Sequence, residues 1–276
     1  MYLFININTK MPNFLFIDGS YFYFYRYYAI CQWFKLSKSE QTLENPVENK
    51  DFIEKFEKTF VEKFQEIAGK LDIENPIVIV GKDCRRKDIW RNEFFPAYKS
   101  NRTNENFKGG PIFKKVWDDK MFTNAGAKLI LSHPILEADD CIAIMTKHIV
   151  NMHEDANIWI ITSDMDYLQL ASEHVKLYNL KFQNLMDSKN CFKNAEKDLF
   201  CKIVSGDKSD AIPSVFKKCG IKTAEKYWND RELFEKKLSE NEEAQKQYQL
   251  NIKLVDFKEI PEYLVKEFLK SYGILK

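Results

Sequence analysis

Five short apolar runs punctuate the chain up to about residue 180: "NFLFI" (13–17), "PIVIV" (76–80), "AKLIL" (127–131), "NIWIIT" (157–162) and "VKLYN" (175–179). They lack clear alternation, as do strands buried on both faces of a parallel sheet. Longer stretches with helical spacing lie between them, at 20–34, 51–70, 111–125 and 137–151. Strand and helix alternate, so the pattern predicts an α/β fold with a mainly parallel sheet flanked by helices. Past about residue 190 the strand signal stops. "AEKDLFCKIVSG", "KTAEKYWND", "RELFEKKLSENEEAQKQYQ" and "PEYLVKEFLKSYG" all read as helices. The expected division is an α/β core over 13–190 and a helical region over 191–276. The polar stretch 99–111, "KSNRTNENFKGGP", ends in Gly109-Gly110-Pro111 and reads as a loop.

An apolar fraction of 45% supports a real core, which excludes a disordered chain. No stretch approaches the roughly 20 apolar residues of a membrane span, so no membrane partner is expected. The start is interrupted by Asn6, Asn8, Lys10 and Pro12, so it makes no convincing signal peptide, and Met11 is a second candidate start. Six cysteines without a C-x-x-C pair argue against zinc or disulfides. They point to a reducing intracellular compartment, cytoplasm or nucleus. The abundance of Lys, Asn, Phe, Ile and Tyr is that expected of an AT-rich genome, a viral one among the candidates.

The acidic residues fall in places the strand pattern makes informative. Asp18 ends the first strand, Asp83 lies just past the second, and Asp164 and Asp166 follow the fourth. The carboxyl ends of parallel strands share one edge, where sites form. "LEADDCIAIM" adds Glu137, Asp139 and Asp140 in the first turn of a helix, and "SGDKSD" adds Asp207 and Asp210. Helix N-terminal charging alone accounts for 137–140, and turn formation for 164–166 or 207–210. Neither explains why all nine should meet on one side. Two carboxylates about 4 Å apart repel by roughly 4 kcal/mol at an effective dielectric near 20. Divalent ions remove that penalty, and oxygen-only donors point to Mg²⁺ or Mn²⁺ rather than zinc. Such an arrangement suits metal-assisted phosphodiester hydrolysis.

The net charge of +1 conceals a basic segment, ten Lys/Arg against four Asp/Glu between Lys82 and Lys115. Within it Arg85, Arg86, Lys87, Arg91, Lys99 and Arg102 are interleaved with Trp90, Phe94, Phe95 and Tyr98. Cations neutralise phosphates and aromatic faces stack on bases, although an amphipathic core helix with a basic outer side would share this mixture. Lys217, Lys218, Lys222 and Lys226 follow Asp210, and Pro213 and Gly220 suggest a helix–turn–helix. Its amides suit duplex phosphates; a plain hairpin with a solvated basic side fits those residues equally well.

Taken together, "FLFIDGS", "IVIVGKDCRRKDIWRNEFFPAYKSNR", "LEADDCIAI", "TSDMDYLQL" and "SGDKSDAIPSVF" stand in the order seen in the flap endonuclease / 5′→3′ exonuclease superfamily. The chain resembles that family from about Asn13 to Leu275, within it most nearly the phage ribonuclease H branch that trims primers. "QYQLNIKLVDFKEIP" near the end is similar as well. The resemblance implies a helical arch at about 85–125, a helix–three-turn–helix, and two carboxylate-rich metal positions holding two Mg²⁺ ions, with Mn²⁺ able to substitute. Asp18, Asp83, Asp139 and Asp164 match the catalytic-metal positions, with Glu137 and Asp140 close by; Asp166, Asp207 and Asp210 match the second ion's side. Lys99 and Arg91 match arch-base cations on the scissile phosphate, with Tyr98 among them. A K⁺ ion in the helix–three-turn–helix is implied too, as are DNA with a 5′ flap or 5′ end beside duplex, an RNA/DNA primer hybrid, replication proteins as a class of partner, and a monomer. Ser214 and Lys218 depart from the family's small residues in the glycine-rich turn, and Asp83 stands two residues past Gly81 instead of ending its strand. No sliding-clamp-binding tail is recognisable before Lys276.

Three other functions compete. A catalytically inactive flap- or junction-binding scaffold would have lost an acid, and every motif keeps its own. A haloacid-dehalogenase phosphohydrolase needs D-x-D where this chain has Asp18-Gly19-Ser20. A compact PIN-type ribonuclease has no use for residues 195–276.

Overall fold

The computed structural model describes residues 12–38, 43, 45–102, 107–189 and 191–275. The alternative start at Met11 and residues 103–106 of the polar loop lie outside the described residues. Five strands, β1 (Asn13–Asp18), β2 (Ile77–Gly81), β3 (Leu129–Leu131), β4 (Asn157–Ile161) and β5 (Val175–Tyr178), form one parallel sheet in the order β3-β2-β1-β4-β5. In β1, Phe14 and Phe16 enter one apolar cluster while Leu15 and Ile17 enter the other. The sheet is thus covered on both sides, which is why its strands show no polar alternation. The chain winds outward from β1 in both directions, so a crevice opens at the carboxyl ends between β1 and β4.

Helices α1 (Gly19–Ser37), α2 (Lys50–Lys70), α3 (Gly110–Asp118) and α4 (Met121–Asn124) supply one face. The continuous helix expected at 111–125 is broken at Lys120, whose φ of 54° is left-handed. The break turns Phe122 into the aromatic cluster of Phe22, Phe60 and Phe64. On the other face lies α5 (Ala138–Met152), whose Cys141, Ile142, Met145 and Ile149 are all fully buried. Between β2 and α3 the expected arch contains only short 3-10 turns, Arg86–Asp88 and Trp90–Glu93, and further turns among the described residues.

Beyond residue 190 come α6 (Ala195–Ser205), α7 (Ile221–Asn229), α8 (Arg231–Ser239), α9 (Glu242–Val255) and α10 (Glu262–Ser271). α6 to α9 share a separate core around Phe200 and Phe234. Leu264 and Phe268 of α10 return to the sheet's own core, so the packing boundary does not coincide with a division at 190. No helix among the described residues is long and apolar enough to cross a membrane.

Candidate metal and nucleic-acid site

The carboxyl edge of the sheet collects the predicted acids. Asp18 caps α1, accepting from the Tyr21 amide at 2.9 Å. Asp83 accepts from the Ala138 amide at 2.9 Å and from the Ser20 hydroxyl, which ties the β2 exit to the first turn of α5. Asp164, three residues past β4, caps the 3-10 turn Met165–Leu170 and accepts from the Asp166 amide at 2.9 Å. Close packing of these turns depends on glycine: a Cβ on Gly19 would stand 2.6 Å from the Gly81 carbonyl oxygen.

No ammonium or guanidinium forms an ion pair with Asp18, Asp83, Asp139 or Asp164 among the described residues. Burial, then the charges of Asp83 and Asp164, raises the Asp18 carboxyl to about 7. Burial followed by the Asp166 charge takes Asp164 to about 6. Asp139 is driven well above the carboxylate range by burial and by Glu137 and Asp140. For Asp18, Asp139 and Asp164 burial is the main resistance to ionisation, and neighbouring acids add to it.

The remaining acids have cations of their own. Asp140, fully buried, takes both ends of the Arg91 guanidinium (2.7 and 2.8 Å), the Trp90 indole N–H (2.9 Å) and the Glu137 amide (3.1 Å). Arg91 is only 2% exposed; it also donates to Glu137 Oε2 at 3.0 Å and to the Leu254 carbonyl at 2.8 Å. The structure therefore puts Arg91 inside, as a tie between α5 and the end of α9. Tyr98 is buried too, donating to Glu137 at 3.1 Å. Lys99 pairs with Glu137 and lies 3.7 Å from Asp210 Oδ2, bridging two acid groups.

The second cluster sits on the turn after α6. Gly206 makes that turn with φ +69°, where a Cβ would stand 2.4 Å from the Pro213 carbonyl oxygen. Lys202, on the last turn of α6, reaches Asp166 at 2.7 Å and Asp207 at 2.5 Å. Although burial opposes it, the Lys202 charge together with the Ser209 hydroxyl and amide holds Asp207 below the usual carboxylate range. Arg102 pairs with Asp210, and its Nε donates to the Ser209 carbonyl at 3.2 Å.

Carboxylate oxygens of Glu137, Asp139 and Asp140, and separately of Asp166, Asp207 and Asp210, lie within 4.8 Å of one another. Oxygen-only donors that destabilise one another as anions fit a hard divalent ion. In the first group Asp140 is fully engaged by Arg91, so Asp139 with Asp18, Asp83 and Asp164 offers the freer oxygens. A cavity of about 680 Å³ beside them is lined by Ser20, Asp83, Lys99, Arg102, Glu137 and Phe113. A larger one of about 790 Å³ adjoins Ser163 past β5 but holds none of the clustered acids. Of the other predicted cations, Arg85 is exposed and pairs with Asp88 at 2.6 Å, Arg86 donates to the Arg102 carbonyl, and Lys87 is exposed. Lys217, Lys218 and Lys222 project into solvent from the turn before α7 and its start.

Lys202 and Tyr167 are not among the residues that the sequence singles out. The signal for Lys202 was its place one helical turn before "SGD". Tyr167 looked like an ordinary core aromatic, yet its hydroxyl is buried without a hydrogen-bond partner among the described residues. A buried hydroxyl in that state costs about 1–3 kcal/mol.

The model of the 5′-3′ exonuclease N-terminal resolvase-like domain matches residues 13–197. Ribonuclease H of Enterobacteria phage T4 is 27% identical over 226 residues, 72% of this chain and 70% of that protein. Two structures of the bacteriophage T5 D15 protein match, each 18% identical: one co-crystallised with metal ions, with a TM-score of 0.66 over 96% of this chain and 100% of the other, and the D155K flap endonuclease as a pseudo-enzyme-product complex with DNA and metal ions, with a TM-score of 0.61 over 95% and 99%. At that identity the likeness shows the fold. With the family model spanning β1 to the start of α6, the chain belongs to the 5′-3′ exonuclease family.

Proposed function

We propose that this chain is a Mg²⁺-dependent, structure-selective 5′ nuclease, acting on DNA with a 5′ flap or a 5′ end beside duplex and on RNA-primed DNA in replication or repair. The observation that carries the reading is the convergence of Asp18, Asp139 and Asp164, from three separate elements, with their carboxyls pushed upward by burial and by one another or neighbouring acids. Two Mg²⁺ ions, with Mn²⁺ as substitute, would lower the pKa of the attacking water and neutralise charge on the phosphate. Asp18, Asp83, Asp139, Asp164 and Glu137 would hold one, and Asp166, Asp207 and Asp210 the other. Asp140 and Arg91 act as the brace that fixes the first turn of α5. Lys99 and Arg102 border the cavity and orient the phosphate, the role first expected of Lys99 and Arg91. Arg85, Arg86 and Lys87 meet the single strand.

The helical region supplies the duplex contact. Lys217, Lys218 and Lys222 face solvent beside the α7 N-terminus, where phosphate is favoured. No base-reading element is evident, so selectivity rests on shape and charge. A K⁺ ion on the carbonyls between α6 and α7 belongs to the same reading, with the Lys218 charge working against it. The chain acts as a monomer in an intracellular, reducing compartment, in keeping with six free cysteines.

The test is a Mg²⁺ titration with 5′-flapped, gapped and RNA-primed oligonucleotides side by side. Cleavage near the junction, leaving a 5′-phosphate and abolished by EDTA, is expected. Binding of the flap without cleavage at any Mg²⁺ or Mn²⁺ concentration would establish the inactive scaffold instead.

A further inference from the structure

The cavity of about 790 Å³ past β4 and β5 opens at the same carboxyl edge of the sheet as the acids. Ser163 and Met165, the chain neighbours of Asp164 on either side, line one part of it, and the loop 179–184 that leaves β5 lines another. That loop is pre-organised. The Asn179 side-chain oxygen accepts from the amides of Lys181 (2.8 Å) and Gln183 (3.1 Å), and Tyr178 pairs with Asn184 across the turn. It is also tied to the acid site by direct contacts: the Tyr21 hydroxyl accepts from the Leu180 amide at 3.0 Å, while the Tyr21 amide donates to Asp18 at 2.9 Å. The two cavities at this edge differ in chemistry. The one beside the acids is lined by Lys82, Arg86, Lys99 and Arg102, cations that suit a phosphate. The charged groups lining this one are Asp187, paired with Lys193 at 3.1 Å, and Lys189, so they balance. The rings of Tyr178 and Phe182, half-buried against the sheet core, and the side-chain amides of Gln183 and Asn184 supply most of the rest. Gln183 Oε1 accepts from Asn179 at 3.0 Å, and its Nε2 has no hydrogen-bond partner among the described residues.

We propose that this cavity receives an unstacked nucleobase of the strand being cleaved, stacked on Phe182 and hydrogen-bonded by Gln183, while the phosphate of that nucleotide lies at the acid edge. The inference rests on the nuclease reading above and adds a second contact to it. Aromatic faces with uncharged amides suit a base, whose polar edge and flat face they match, and not a phosphate. An amide offers donor and acceptor together, so bases of every kind are accepted and selectivity stays with shape. Extracting a base from a continuous duplex is costly, and least so where the stack already ends. A base cavity joined to the acids therefore favours a 5′ end or flap junction over uninterrupted duplex.

The test moves a single abasic residue one position at a time along both strands of a 5′-flapped oligonucleotide. Affinity is read by fluorescence anisotropy in EDTA, and cleavage rate in Mg²⁺, for wild type, Phe182→Leu and Gln183→Ala. For wild type, one abasic position at the junction of the cleaved strand should weaken binding about tenfold, with its neighbours nearly silent. Both variants should bind the intact flap several-fold more weakly and no longer distinguish it from that abasic flap. Equal wild-type affinity for intact and abasic flaps at every position, a result that needs no variant to fold, overturns the base cavity. So does discrimination that persists in both variants. A loss confined to abasic residues in the opposite strand overturns the assignment to the cleaved strand. Discrimination in binding with no cleavage in Mg²⁺ keeps the base cavity and overturns the nuclease reading.

Discussion

The two acid clusters at the sheet edge contain similar numbers of carboxylates and solve the same electrostatic problem differently. Asp18, Asp139 and Asp164 have no ion-pair partner among the described residues, and their carboxyls are raised, two of them to about 7 and about 6. Asp166, Asp207 and Asp210 are met by Lys202, Lys99 and Arg102, and Asp207 is lowered. On the proposed function, the first cluster is the one that would need an outside cation. The second carries cations within the fold, so any ion there competes with Lys202.

The sharpest way to break the comparison is to neutralise one member of each. Asp139→Asn should abolish cleavage, a loss of at least about 10³-fold, with flap binding retained. Lys202→Met should instead keep cleavage and lower the Mg²⁺ concentration it requires, because Asp166 and Asp207 then lose the internal cation that competes with an ion. Single-turnover rates across a Mg²⁺ series measure both. If the two variants lose the same activity with the same Mg²⁺ requirement, the clusters are not different in kind.

The raised carboxyls also give the metal-free protein a pH signature. Folded Asp18 and Asp164 hold their protons more tightly than the unfolded chain, whose carboxyls titrate near 4. Their contribution is fully present below about pH 4 and is lost as pH rises through about 6 and about 7. Asp207 works in the opposite sense, stabilising above that range and losing its effect as pH falls through its lowered value. In EDTA, stability should therefore decline between about pH 4 and 7 by several kcal/mol, about 1.4 kcal/mol for each pH unit by which a carboxyl is raised. Mg²⁺ should remove most of that decline and stabilise far more at pH 8 than at pH 5. Urea midpoints identical with and without Mg²⁺ across this range would remove the electrostatic basis of the site.

Much of this was legible in the chain. Runs buried on both faces specify parallel strands, and parallel strands bring Asp18, Asp83 and Asp164 to one edge whatever the loops do. The allocation of cations was not legible. Asp139 and Asp140 are neighbours in one helical turn, and only the distant pair Trp90 and Arg91 makes one a brace and leaves the other free. The interleaving of aromatics and cations at 82–102 mixes two layers: Trp90, Arg91 and Tyr98 point inward, while Arg85, Arg86 and Lys87 stay outside. Local spacing cannot separate them, because the segment has no regular period. The return of α10 to the sheet is likewise a tertiary choice, made by Leu264 and Phe268 packing beside α5.

The smallest effect concerns Lys218, in the turn that leads to α7. It adopts φ 60°, a left-handed conformation that costs a side-chain-bearing residue about 1–2 kcal/mol relative to glycine. Glycine would relieve this strain but lose about 0.5–1 kcal/mol to the greater freedom of the unfolded chain. Lys218→Gly should thus change the urea-derived stability by less than about 1 kcal/mol. If Lys218 meets a duplex phosphate, the same variant should reduce the slope of log affinity against log salt by about 1, on flapped and plain duplex alike. An unchanged slope would mean that the lysine occupies a glycine's conformation without serving the duplex, leaving the contact to Lys217, Lys222 and the α7 amides. The charged edge proposed to meet the duplex would then be narrower than the exposed lysines suggest.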